Sequence, residues 1–182
     1  TTYSNSEIIV ADGYDGTLTF LEGASITAKG DLSAGALNIT NGAEFAAQTK
    51  GSELTIDLAG SAIGASSITD FATTTINVSQ DTTVGAITGV KTKLTGDMTI
   101  KYVGKGDVTS AAAANVTTLD ASGIDGDLTY ATAAGNKITV KGGAGANQIS
   151  AHTTAEVTYV GQNGGDTITA GTTSGILSVE TG

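Results

Sequence analysis

The chain has 182 residues, 18 acidic against 8 basic, every basic one a Lys, and a net charge of −10. That length holds one domain with a real core, or two small ones; an acidic chain without Arg lacks the clustered cations that nucleic acid and anionic membrane surfaces attract. With no Cys, Pro or Trp there is no disulfide, thiolate metal site or thiol nucleophile, and the short apolar runs provide no membrane-spanning helix.

In chain order the apolar residues fall in short clusters at Ile8–Val10, Leu18–Phe20, Ile26, Leu37–Ile39, Phe45, Leu54–Leu58, Ile68, Ile76–Val78, Val84, Leu94 and Met98–Ile100. They continue at Val108, Val116, Leu128–Tyr130, Ile138–Val140, Ile149, Val157–Tyr159, Ile168 and Leu177–Val179. Alternation within the clusters predicts half-buried strands, and the Gly, Asp, Asn and Ser between them predict tight turns. The hydrophobic fraction is 39%, with β-branched residues regularly placed, which argues for order over disorder. Ser110 to Asn115 holds four consecutive Ala and predicts one short helix or a flat small-residue turn. The stretch from Gly104 to Asn115 interrupts the strand rhythm. It is the candidate hinge, dividing 1–105 from 116–182, in what otherwise reads as a single elongated repeat domain over 1–182. The opening Thr1-Thr2-Tyr3 has neither an initiator Met nor a signal peptide, so the chain reads as a segment of a longer one.

From Leu128 onward the clusters recur every nine or ten residues. Even spacing of short strands fits a β-sandwich or barrel or a parallel β-solenoid, in which coils stack and side chains form inward ladders. Hairpin signals are confined to Asn41-Gly42 and Asn163-Gly164, and a sandwich needs antiparallel hairpins. The all-β expectation is therefore a parallel β-solenoid, with the sandwich as alternative. Coils of roughly 20 residues stacked at about 4.8 Å would make a rod of roughly 40 Å.

The most specific motif is Gly142-Gly143-Ala144-Gly145-Ala146-Asn147-Gln148-Ile149-Ser150. It follows the nonapeptide pattern G-G-x-G-x-D-x-U-x, with Asn in place of Asp. Nineteen residues later comes Gly161-Gln162-Asn163-Gly164-Gly165-Asp166-Thr167-Ile168-Thr169. In this repeat six residues turn and three form a strand, and glycines let carbonyl oxygens point at an ion. Calcium sits between stacked turns and takes six or more oxygens. Two nonapeptides make one coil, so the two turns are expected one above the other, with Asn147 and Asp166 on one edge. The candidate calcium-binding residues are Gly142, Gly143, Gly145, Asn147, Gly161, Asn163, Gly164 and Asp166. The opposite edge, between Ala151 and Glu156, lacks the motif. Two further acidic turns, Asp12-Gly13-Tyr14-Asp15-Gly16 and Asp125-Gly126-Asp127, read as solvated turn residues.

The run Thr117-Thr118-Leu119-Asp120-Ala121-Ser122-Gly123-Ile124-Asp125-Gly126-Asp127-Leu128-Thr129, then Ile138-Thr139-Val140 and the Gly142 turn, resembles the C-terminal half of Gram-negative S-layer proteins and related RTX adhesins. The resemblance covers residues 116–170 and implies an RTX-like β-roll towards the C-terminus. It also implies export by a type I route, an extracellular cell-surface location and calcium-linked folding outside the cell. Lateral self-assembly into a lattice, or attachment to a cell-surface or host partner, would follow. The implied ion-binding positions are the glycines of the two turns with Asn147 and Asp166. Asn at 147 and Gln at 162 depart from the pattern.

Catalysis needs groups with tuned protonation or nucleophilicity. The one His, His152, follows a strand end and reads as a surface residue, no nucleophile-elbow sequence is present, and one His without Cys is a poor zinc set. Polysaccharide-active solenoid enzymes use carboxylate clusters with Arg or Lys and aromatic platforms; this chain has three Phe, five Tyr and no Arg. The expectation is a non-enzymatic structural segment. The Thr-rich strands read as strand propensity.

Overall fold

A computed structural model describes residues 2–3, 7–11, 13–20, 25–29, 32, 37–41, 53–58, 62–92, 94–171, 175 and 177–180. Among them the chain is all-β, without helix. It begins with β1 (Thr2–Tyr3), β2 (Glu7–Ala11), β3 (Gly16–Phe20), β4 (Ser25–Lys29), β5 (Leu37–Asn41), β6 (Glu53–Leu58) and β7 (Ser66–Thr69). The middle holds β8 (Thr73–Val78), β9 (Thr82–Val84), β10 (Ile87–Val90), β11 (Thr99–Gly104), β12 (Val108–Ser110) and β13 (Ala113–Ala114). Then follow β14 (Thr118–Ile124), β15 (Leu128–Ala131), β16 (Lys137–Lys141), β17 (Gln148–Ser150), β18 (Glu156–Val160), β19 (Thr167–Thr169) and β20 (Leu177–Glu180).

Every pairing of these strands is parallel, and each strand pairs with one a coil away. That is a β-solenoid of about seven turns; a sandwich would need antiparallel neighbours. Sheet A runs β1-β3-β5-β7-β10-β13, sheet B runs β2-β4-β6-β8-β11-β14-β16-β18-β20, and sheet C runs β9-β12-β15-β17-β19. Sheet B is the common wall. The first coils pair it with sheet A, the last with sheet C, and β8 to β13 use all three. Isolated bridges from Leu32 to Ile63 and from Ile63 to Val84 begin the sheet C wall before β9.

Alternation sends every second side chain inward, and parallel register stacks like on like. Ile8, Ile26, Ile56, Ile76 and Tyr102 stand in one column of sheet B. Leu18, Ile39 and Ile68 stack in sheet A. Leu32, Ile63, Val84, Ser110, Tyr130, Ile149 and Ile168 stack along sheet C. Each fully buried Ile or Leu contributes about 1.5–3 kcal/mol. Outward, Thr73, Thr99, Thr118, Thr139 and Thr158 form one rank on sheet B.

The nine- or ten-residue rhythm after Leu128 is two strands per coil, and the looser upstream spacing is the third wall. From Ile100 the sheet B partners Leu119, Val140, Tyr159 and Val179 lie 19 to 21 residues apart. The alanine run forms no helix: Ala113 and Ala114 are the last strand of sheet A, pairing with Ile87 and Thr88. Small side chains suffice there because the core narrows. Leu94 and Val116 are buried in turns. β11 pairs with β14 across the candidate hinge, with a register shift between Lys101 and Val103. The strand expected at Phe45, and Gly42 and Asp12, lie outside the described residues.

Ending sheet A exposes backbone groups that burial would penalise. Side chains from the next coil satisfy them: Ala113 N–H donates to the Tyr130 hydroxyl at 3.2 Å, and the Asn136 amide donates to Ala113 O. Tyr102, fully buried, shares a hydrogen bond with Ser110 at 3.0 Å.

Among the described residues, one core polar atom is not accommodated. Thr74 stands between Leu54 and Ile100 in the sheet B column, and its buried Oγ1 has no hydrogen-bond partner. Thr74→Val keeps the shape and removes the orphan. It should stabilise the fold by about 1 kcal/mol, read as a rise of about 2–4 °C in Tm; a lower Tm would contradict the packing described.

Candidate functional site

The turn from sheet B to sheet C is the most regular feature outside the core. Gly106, Gly126, Gly145 and Gly164 recur 20, 19 and 19 residues apart and stack one per coil. A Cβ on Gly106 would lie 2.1 Å from Gln80 O, on Gly126 2.8 Å from Gly106 O, on Gly145 2.9 Å from Gly126 O, and on Gly164 2.3 Å from Gly145 O. The backbones approach closer than any side chain allows. Gly164 also has a φ of 133°, which L side chains rarely adopt.

Beside this column runs a ladder of carboxylates. Asp107 N–H donates to Asp81 Oδ1 at 3.0 Å, Asp127 N–H to Asp107 Oδ1 at 2.8 Å, and Ala146 N–H to Asp127 Oδ1 at 2.6 Å. Each aspartate ties a turn amide of the next coil. Asp127, a solvated turn residue by sequence, is half-buried and part of this ladder. The ladder falls outside the nonapeptide pattern. The signal was there in the Gly-Asp pairs at 106–107 and 126–127.

At the C-terminal coils the bonding moves inward. The two predicted turns stack as their spacing required: Asn147 N–H donates to Asp166 Oδ1 at 3.0 Å, and Thr167 N–H to Asn147 O at 2.8 Å. Asn147 is fully buried. Its Oδ1 accepts the N–H groups of Leu128 and Gly143, both at 3.0 Å. Its Nδ2 donates to Gly143 O and Gly145 O, each at 3.1 Å, and to Asp166 Oδ1 at 2.8 Å. The Tyr159 hydroxyl donates to Asp166 Oδ2 at 2.7 Å. Gly142 and Gly161 are buried. A Cβ on Gly142 would lie 2.2 Å from the Tyr159 hydroxyl, and one on Gly161 2.8 Å from Asp166 Oδ2. Asn163 and Gly164 are exposed.

The eight predicted residues therefore share two stacked turns, with Gly143, Gly145, Asn147 and Asp166 meeting in one cluster. Their donor set does not fit calcium at Asn147. The oxygens that would face an ion, Gly143 O, Gly145 O and Asp166 Oδ1, accept from the Asn147 amide nitrogen instead. Both oxygens of Asp166 accept internal donors. Among the described residues, no three His, Cys, Asp or Glu side chains gather where they could hold a metal ion.

His152 is exposed and serves its own turn, with Nδ1 bonded to Thr154 Oγ1 at 3.1 Å and to Thr154 N–H at 3.3 Å. Asp125 is exposed. Comparison with known proteins finds no matching family profile, no matching curated protein and no matching solved structure.

Partial burial pushes the Asp166 carboxyl up. Hydrogen bonds from Tyr159 and from the backbone and side chain of Asn147 outweigh it and hold the group below its ordinary 3.8. Burial, then the adjacent Asp166, pushes the Tyr159 phenol well above its ordinary 10.0. A depressed carboxyl adds stability that is complete above the unfolded-state value and is lost as pH falls through the folded one. Acid unfolding should therefore lose a contribution below about pH 4 that Asp166→Asn no longer shows, measured as Tm against pH; identical acid limbs would contradict the bonding of Asp166.

The glycine column gives a second expectation. Gly126→Ala should destabilise by about 1–3 kcal/mol. Gly165→Ala, where a Cβ meets nothing within 4 Å, should stay within about 0.5 kcal/mol. Denaturant midpoints of the two variants check the difference.

Proposed function

We propose that this chain is a structural rod segment of a self-assembling extracellular surface layer, and that its charge-free faces are the lateral contacts. The observation that carries this reading is the distribution of charge. Among the described strands, no residue of sheet A or sheet C is charged. Charged strand residues are confined to sheet B, where Lys137 pairs with Glu156 at 3.2 Å and Lys141 with Asp120 at 2.9 Å, both across coils. The remaining described charges lie in turns.

Copies of a chain carrying −10 repel one another through most of their surface. Sheet C instead presents an outward rank of Thr83, Thr109, Thr129, Gln148 and Thr167, all exposed. Sheet A presents Thr17, Asn38, Ser67 and Thr88. Such faces approach each other without like-charge contact and without an apolar patch that would aggregate. The resemblance of residues 116–170 to S-layer proteins supports the cell-surface setting. The engagement of His152 in its own turn supports a non-enzymatic role.

Electron microscopy and sedimentation velocity of the purified chain across a concentration series test the proposal. Ordered assemblies are expected, and Thr109→Lys with Thr129→Lys should abolish them while leaving the circular-dichroism spectrum unchanged. A chain that stays monomeric throughout would sink the proposal, as would assembly indifferent to the two lysines.

A further inference from the structure

We infer that the stacked turns at 142–147 and 161–166 are closed by carboxamides in the place an ion would take, so that one atom of residue 147 decides whether this end of the solenoid depends on a cation. The Asn147 amide has one permitted orientation. Its oxygen lies between two N–H donors, Leu128 and Gly143, and its nitrogen faces three oxygens. Flipped, it would set oxygen against three oxygens and N–H groups against two N–H groups. The position selects an amide, and the pattern residue Asp fails there for the same reason.

A second residue makes the same substitution independently. Gln162 stands where the nonapeptide has its second glycine, and its Nε2 donates to Ser122 O at 2.9 Å and Gly142 O at 3.1 Å. It reaches back across two coils. Both departures from the pattern are thus carboxamides that donate to backbone carbonyls. An amide offers donors without net charge, so it satisfies inward carbonyls with no ion to take up or lose. Each Nδ2 and Nε2 bond lies in the ordinary N–H···O range, so the cage is set for nitrogen.

In an Asn147→Asp variant one carboxylate oxygen keeps the Leu128 and Gly143 donors. The other faces Gly143 O, Gly145 O and Asp166 Oδ1 with no proton between them. An uncompensated buried charge is strongly destabilising and is relieved by a divalent cation with oxygen ligands or by protonation.

The test is thermal unfolding by circular dichroism at neutral pH, in chelator and in millimolar calcium, at concentrations where the chain is monomeric. This keeps the result separate from the assembly reading. The wild type and Asp166→Asn should respond to calcium alike. Asn147→Asp should melt roughly 10 °C lower in chelator, recover in calcium, and recover partly in chelator when the pH is lowered. An Asn147→Asp chain that folds only when calcium is added supports the inference equally. Overturning results are a calcium-dependent rise in the wild type that Asp166→Asn abolishes, or an Asn147→Asp variant that calcium leaves unrestored.

Discussion

Parallel hydrogen bonding between successive coils governs this molecule. It places each residue over its counterpart one coil earlier, about 4.8 Å away, so a property of one position becomes a property of a column. Inward columns must be apolar along their length, and those of sheets A and B largely are. A column that crosses the chain's own backbone can hold no side chain, which is why Gly106, Gly126, Gly145 and Gly164 line up. A polar side chain in a column finds its partner directly above or below. The Asp81, Asp107 and Asp127 ladder is that rule applied to backbone amides.

The same rule makes any change of cross-section difficult, because a wall that stops leaves its last strand unpaired. Sheet A stops at β13, and the next coil answers with the Tyr130 hydroxyl and the Asn136 amide. Buried tyrosines recur along the core. Each buries its ring in the core and carries a hydroxyl to a polar group: Tyr102 to Ser110, Tyr130 to Ala113, Tyr159 to Asp166. Further along, the apolar column of Val108 and Leu128 gives way to Asn147 and Asp166. Those two side chains take up backbone groups that the coil would otherwise leave buried and unbonded.

Charge follows the architecture. A solenoid is thin, so charged side chains sit on its outer faces and in its turns, and the one buried in a turn among the described residues, Asp70, accepts the N–H groups of Thr92 and Leu94. This chain uses sheet B and the turns and leaves two faces neutral. Asp120 illustrates the balance: burial pushes its carboxyl up, but hydrogen bonds from Ser122 and Lys141 and the charge of Lys141 bring it below its ordinary value. Opposite charges one coil apart offset the repulsion that a like-charged column would build.

Much of this was legible in the sequence. Alternation of apolar and polar residues marked most strands, and the nineteen-residue interval between the Gly142 and Gly161 turns placed Asn147 beneath Asp166. These are local or periodic signals, and parallel stacking preserves them. Other features were out of reach of periodicity. The third wall hid in uneven spacing, β13 reads as a short helix or a flat small-residue turn because alanine favours a helix in isolation, and Leu94 and Val116 are buried outside strands. Residue order alone carries an all-β repeat with glycine turns in register and an amide where the pattern has a carboxylate. What that amide does emerges from coil stacking, because its role depends on which donors and acceptors three successive coils bring within 3 Å of it.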